Sequence, residues 1–193
     1  PGIVDADAIA ITNAFGNANE FPEEGATVLL DIGSISSSLV VWGRKEQFFT
    51  RDIPIGGYHF ITDLSEKRDI DYIAAEDEIM KNGISSFQNG ASDDLSDIAV
   101  AERNIFDNLI EDLRRSLRYY AKTTNQSFFT KIILSGGGSS TQGLQEIIEN
   151  KLSLSTVLFD PFQTLAGYEK LELSNPNQYA VATGLAIRGV LGK

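Results

Sequence analysis

From Ile98 to Tyr120 apolar side chains return every three or four positions: Ile98, Ile105, Phe106, Leu109, Leu113, Leu117 and Tyr120. That spacing predicts the longest helix of the chain, from about Asp97 to Thr124, with one apolar stripe turned to a core. Asp5 to Phe15 carries a broader apolar face and predicts a helix capped by Asp5, with Gly16 and the polar run to Gly25 breaking it. The next pattern is of another kind. Ala26 to Ile32 is an almost unbroken apolar run with β-branched residues, which predicts a buried strand. Ser38–Trp42 and Glu46–Ile53 predict two more strands. Connections as short as Gly33–Ser37 and Gly43–Lys45 then call for an antiparallel meander.

Gly56 and Gly57 punctuate the chain. Two helical patterns follow, Tyr58–Lys67 and Asp71–Lys81, the second closed by Gly83. Ser85–Ser96 reads as a loop. Beyond the long helix, Thr130–Leu134 predicts a strand, Thr141–Leu152 a helix, Thr156–Phe159 a short strand and Tyr179–Leu191 a last helix. That last helix is apolar on most sides, so burial is expected. The order predicts an α/β unit of three layers, helices packed on a mixed sheet, interrupted by a mainly helical segment from about Gly57 to Phe129.

Charge and composition narrow the function. A chain of 193 residues can build one sizeable core. Its 16 basic and 27 acidic side chains leave a net charge of -11. That argues against duplex nucleic acid, which needs a basic surface, and against adsorption to an anionic membrane. The sequence holds no cysteine, so disulfides, zinc–thiolate sites and cysteine nucleophiles are excluded. His59 is the only histidine, which excludes zinc sites built on two or three of them. No apolar run reaches the roughly 20 residues of a membrane-spanning helix.

Two glycine-bearing turns could carry chemistry. In Leu30-Asp-Ile-Gly-Ser-Ile-Ser-Ser37 the glycine lets backbone approach a ligand, successive turn amides make an anion-binding concavity, and Ser36 and Ser37 add hydroxyl donors. Asp31 could hold a water on a phosphate-bound Mg²⁺. An ordinary serine-rich hairpin fits the same spacing, and fits it better on spacing alone. In Leu134-Ser-Gly-Gly-Gly-Ser-Ser140 three glycines permit tight passage past a flat ligand or a phosphate. A plain flexible connection is the alternative, weighed against the entropy that consecutive glycines cost. His59 lacks a local carboxylate partner and reads as a surface or packing residue. Glu76, Asp77 and Glu78 are adjacent on a helix and point to different sides, so they form no acid–base pair. Trp42, Phe48 and Phe49 read as core or sheet surface.

Taken in order, Asp31-x-Gly33, Pro54-x-Gly-Gly57, Ala75-Glu76 and Leu134-Ser-Gly-Gly-Gly138 resemble the second half of an actin-like ATPase, the superfamily of actin, Hsp70, sugar kinases and FtsA. Within it the chain is most similar to the PilM family of type IV pilus assembly. Ser37-Ser-Leu-Val, Ala74-Ala-Glu76, Arg114-Arg-Ser-Leu117, Gly143-Leu144, Asp160-Pro-Phe162 and Tyr179 to Arg188 carry that similarity.

The resemblance implies an actin-like (ribonuclease H-like) core of residues 1–56 and 130–193, with 57–129 as an inserted subdomain. It implies a second phosphate loop at Gly33, Ser36 and Ser37, an adenosine loop at Gly136, Gly137 and Gly138, and Glu76 near the ribose or adenine. ATP with Mg²⁺ would be the ligand, and no residue of this half would be catalytic, so the chain alone is not expected to hydrolyse ATP. Relatives usually place a lysine three positions after the helix glutamate; here Ile79 stands there, with Lys81 the nearest lysine.

The opening Pro1-Gly2, without methionine, fits a chain cut at the junction between halves. The other half, with its own phosphate loop and the groove for PilN, a bitopic membrane protein, would precede residue 1. The implied role is a cytoplasmic scaffold, peripheral to the inner membrane through PilN and other pilus components, with no membrane insertion of its own. The alternatives are an interaction module with a degenerate nucleotide site, an FtsA-like division protein and a sugar kinase.

Overall fold

The computed structural model describes residues 4–43, 45–87, 104–168 and 173–191. Five strands, β1 (Ala26–Ile32), β2 (Ser37–Trp42), β3 (Phe49–Ile53), β4 (Phe129–Ser135) and β5 (Thr156–Leu158), form one sheet in the order β3-β2-β1-β4-β5. The first three make the expected antiparallel meander. β4 joins β1 in parallel, and β5 joins β4 in parallel, which makes the sheet mixed. Both faces of the central strands are covered, and that is why β1 reads as a continuous apolar run. Val28, Leu30 and Ile32 point into one core and Leu29 into the other.

The larger core lies beneath α2 (Gly57–Arg68), α3 (Tyr72–Asn82), α4 (Ile105–Thr124) and α5 (Leu144–Leu152). The helical stripe behaves as its spacing demands: Phe106, Leu109, Leu113, Leu117 and Tyr120 are all buried on α4. Its start is later than expected. The Asn104 side chain accepts the Asp107 N–H at 2.9 Å and caps the helix there, while Ile98 falls outside the described residues. Ser85–Ser96 also starts otherwise than as a loop: Gly83–Phe87 is a 3₁₀ turn, and the rest is not described.

The smaller core lies beneath α1 (Asp7–Ala18) and α6 (Ala180–Leu191). Here two expectations fail. Asp5 does not cap α1 in the usual manner. The N-cap is Ala6, and Asp5 instead accepts the Ala6 N–H at 3.0 Å and pairs with Arg188 of α6. Nor is α6 buried on most sides. Ala180, Thr183 and Gly184 form a stripe of small residues turned inward, whereas Leu185 and Val190 face solvent. The small stripe exists because α1 crosses it at backbone distance. A Cβ at Gly184 would sit 1.8 Å from the Ala10 carbonyl oxygen.

That crossing gives a prediction of opposite signs. Gly184→Ala forces the two helices apart and is expected to destabilise by about 1–3 kcal/mol. Gly189→Ala, where nothing lies within 4 Å of the added methyl, is expected to be neutral or to stabilise by up to about 1 kcal/mol. Chemical denaturation of the two variants checks both.

Candidate functional site

The parallel register β1–β4 sets Asp31 opposite Ser135, so the turns that follow the two strands leave the same edge of the sheet side by side. They are packed against each other without room for side chains. Gly136 has φ +83°, and a Cβ there would lie 2.4 Å from the Ile32 carbonyl oxygen. The start of α2 closes the third side. Gly57 N–H donates to the Gly33 carbonyl at 2.9 Å and Tyr58 N–H to the Ser34 carbonyl at 2.8 Å. A Cβ at Gly56 would strike both of those carbonyls at 2.6 Å, so the hairpin turn and the helix start interlock only through glycine. His59 serves this joint: its Nδ1 accepts the Gly56 N–H at 3.2 Å. It is a local cap, in keeping with a packing role.

Between these turns and α3 lies a cleft of about 310 Å³, lined by Gly33, Ser34, Gly57, Gly137, Gly138 and Thr141 on one side and Tyr72, Glu76, Ile79 and Met80 on the other. α3 is capped locally at its start and tied to the opposite wall at its end. The Asp71 side chain accepts the Ala74 N–H at 2.9 Å, and beyond Gly83 the Ile84 N–H donates to the Gln142 carbonyl at 3.0 Å, just past the glycine turn. Of the three adjacent acids, Glu76 lines the cleft, while Glu78 turns away to Arg68 and Asn82. Ile79 is buried in the larger core, and no lysine or arginine is among the described residues that line the cleft.

Four of the eight predicted residues thus meet in the cleft: Gly33, Glu76, Gly137 and Gly138. The others stand around it. Ser36 is exposed in the hairpin turn, its carbonyl accepting the Gly33 N–H at 3.0 Å. Ser37 is fully buried, and its hydroxyl donates to the Ile55 carbonyl at 2.6 Å. Gly136 lies behind the cleft, at the positive-φ bend that opens its loop. Asp31 points to the α1 side of the sheet, where it accepts the Ser135 hydroxyl at 2.7 Å. Burial raises its pKa above the ordinary 3.8; the Ser135 bond opposes that rise and the Asp7 charge adds to it.

Two features of the site had escaped the sequence. Buried Asn177, just ahead of α6, holds the glycine turn. Its side-chain nitrogen donates to Ser139 Oγ at 2.6 Å and to the Gly136 carbonyl at 3.1 Å, and its own carbonyl accepts the Gly136 N–H at 3.0 Å. A lone asparagine some forty residues from the loop carries no local signal. The other feature is an aromatic rim. Tyr58 and Tyr72 lie with ring centroids 5.9 Å apart at the cleft mouth. The Tyr72 pKa is raised by desolvation, with Glu76 and Tyr58 adding to it. A signal existed in the helix-start position of Tyr58, but not for their pairing.

The donor set suits an anion. Among the described residues, no partner takes up the backbone N–H groups of Ser34, Ile35 and Ser36 or the hydroxyls of Ser34 and Ser36, and Gly137 borders open space. Unpaired turn amides of this kind form an anion-binding concavity. No cluster of three or more metal-ligating side chains occurs among the described residues. A Mg²⁺ carried on phosphates needs only one or two protein carboxylates.

The chain matches the family of type IV pilus assembly protein PilM over residues 1–190. It belongs to the PilM family. Its fold is similar to that of a solved PilM–PilN type IV pilus biogenesis complex, with 24% identity, a TM-score of 0.76, and coverage of 97% of this chain and 53% of the other. It is also similar to MreB5 of Spiroplasma citri bound to ADP (16% identity, TM-score 0.62, 98% and 60% covered). The archaeal actin homolog Ta0583 gives 17% identity and a TM-score of 0.60, with 98% and 56% covered. The fold of this chain is therefore actin-like, and the chain spans little more than half the length of those proteins. No described helix is long and apolar enough to cross a membrane.

Asp31 offers a test of the site's electrostatics. A carboxyl whose pKa is raised by folding loses stability as pH climbs from 3.8 through the folded value. Asp31→Asn should therefore be more stable than the parent at pH 7, and the difference should vanish below about pH 4. Paired thermal melts across that range decide it; an Asn variant less stable at pH 7 would contradict the assignment.

Proposed function

We propose that this chain is the C-terminal half of a two-halved, ATP-binding scaffold of the type IV pilus assembly platform. The observation that carries the reading is the set of unpartnered turn amides at Ser34–Ser36, in a hairpin turn whose Gly33 and Ser34 share the cleft with the open glycine turn at Gly137. In this reading the hairpin amides and the Ser36 hydroxyl hold phosphate oxygens, and the glycine turn lets the flat nucleoside pass. Glu76 and the Tyr58–Tyr72 rim border the sugar and base. Because no cation of the described lining offsets the phosphates, Mg²⁺ would supply that charge when bound. Asp31 would hold one of its waters, and a nearby cation favours the ionised carboxylate that burial disfavours. Ser37 and Gly136 then support the loops from behind without touching ligand.

The same reading treats 1–56 and 130–193 as the core subdomain and 57–129 as the insert above the cleft. α4 roots the insert in the larger core through Leu113, Leu117 and Tyr120. The remaining half of the protein closes the nucleotide from the other side and takes the PilN tail, which places this chain in the cytoplasm next to the inner membrane. A second reading keeps the scaffold and drops the nucleotide; the buried Ile79 on α3 favours it.

A thermal melt of the complete, two-halved protein separates them. ATP with Mg²⁺ at 100 times its dissociation constant stabilises by about 2.7 kcal/mol, or about 3–5 °C for a chain of that length. Gly137→Val, whose Cβ meets nothing within 4 Å, should shift the unliganded midpoint little and abolish the rise. No rise in the parent protein would favour the degenerate site.

A further inference from the structure

At the other end of the sheet, a groove of about 490 Å³ lies between the C-terminal half of α4, the residues leading into β4 and those following α5. β4 itself separates the groove from the nucleotide cleft by about 20 Å, since seven residues of strand intervene. Its walls are of two kinds. Arg114, Arg118 and Lys151 supply positive charge, and no aspartate or glutamate is among the described lining residues. Glu111 and Asp107, just outside the lining, pair with Arg114 at 2.7 Å and Lys151 at 3.7 Å, so the groove stays positive through Arg118 in a chain of net charge -11. The floor is apolar, with Leu117 buried and Phe128 61% exposed.

The groove is organised in advance. Arg114 is held by Glu111 at 2.7 Å and by the Lys151 carbonyl at 2.9 Å, so its guanidinium is oriented before anything binds. Arg118 is exposed and has no carboxylate partner among the described residues. Phe128 is not a frayed ring. Its N–H donates to Gln126 Oε1 at 2.7 Å and its carbonyl accepts the Ala26 N–H at 3.0 Å, so the side chain is displayed from a pinned backbone. The pair of Lys151 with Asp107 is long and exposed and contributes little. An exposed aromatic ring beside Arg118 has the composition of a recognition hot spot.

We propose that this groove docks an acidic segment of a protein partner, one whose Asp or Glu side chains meet Arg118 and Lys151 while a large apolar side chain packs on Phe128 and Leu117. Charge complementarity selects the partner and speeds its encounter; the apolar contact supplies the affinity. Nucleic acid fits less well, because the overall negative charge repels a polyanion and the floor offers it no phosphate contact.

Selection of phage-displayed random dodecapeptides on the full chain tests this. Enriched peptides should carry net negative charge with at least one large apolar residue. Their affinity should fall tenfold or more for Arg118→Glu, whose exposed side chain has no carboxylate partner among the described residues and whose melt should match the parent, and also for Phe128→Ser, compared at a temperature where its melt shows it folded. Peptides lacking acidic residues, peptides that bind those variants equally well, or no enrichment over an unrelated protein would each overturn the proposal. So would sedimentation showing that the chain associates with itself through Arg118, since the occupant would then be a second copy.

Discussion

The parallel pairing of β1 with β4 is the constraint on which the cleft depends. It brings two turns, distant in sequence, to the same edge of the sheet with Asp31 and Ser135 in register. The positions where backbones cross are then forced to be small. Gly136 passes over the Ile32 carbonyl, Gly56 passes over the hairpin carbonyls, and Asn177 fills the hydrogen-bonding needs of the glycine turn from behind. The hairpin spends its carbonyls on the start of α2 and keeps amides of its turn free. A turn that has used its acceptors and retains its donors is electrostatically prepared for an anion.

The same geometry explains the odd position of Asp31. Strand alternation turns it to the α1 side, into a half-buried place beside Asp7, where ionisation costs desolvation and repulsion. The charge pattern of the molecule follows a similar division. The cleft carries one acid and no described cation, whereas three cations share a groove at the opposite end of an otherwise acidic chain. Binding of phosphate at one end and of carboxylate at the other would then rely on different physics: backbone dipoles with a metal ion, against side-chain charge with an aromatic floor.

Much of the fold was legible in the sequence, because local pattern and tertiary burial agree. The unbroken apolar run of β1 reports a strand covered on both faces, and the stripe of α4 reports a single buried side. Where reading failed, the deciding contact was distant. Composition made α6 look buried, but its inward face is chosen by how closely α1 approaches, which favours Gly184 over Leu185. Asp5 looked like a cap until Arg188, at the far end of the chain, claimed it. In the cleft, glycines could be found because close approach leaves a mark on sequence. The role of Ser37 could not, since a serine in a turn looks alike whether it faces a ligand or, as here, the Ile55 carbonyl. Asn177 and the Tyr58–Tyr72 pair exist as site features only once the chain is folded.

Amide hydrogen exchange on the two-halved protein of the proposed function, with and without ATP and Mg²⁺, tests the central claim most directly. Backbone donors that carry the phosphates must be slowed by ligand, residue by residue. The account predicts protection at Ser34, Ile35 and Ser36 and at Gly137 and Gly138, with the buried strands of the sheet little changed. Ligand-dependent protection that spares both turns, or that appears only elsewhere in the protein, would contradict it.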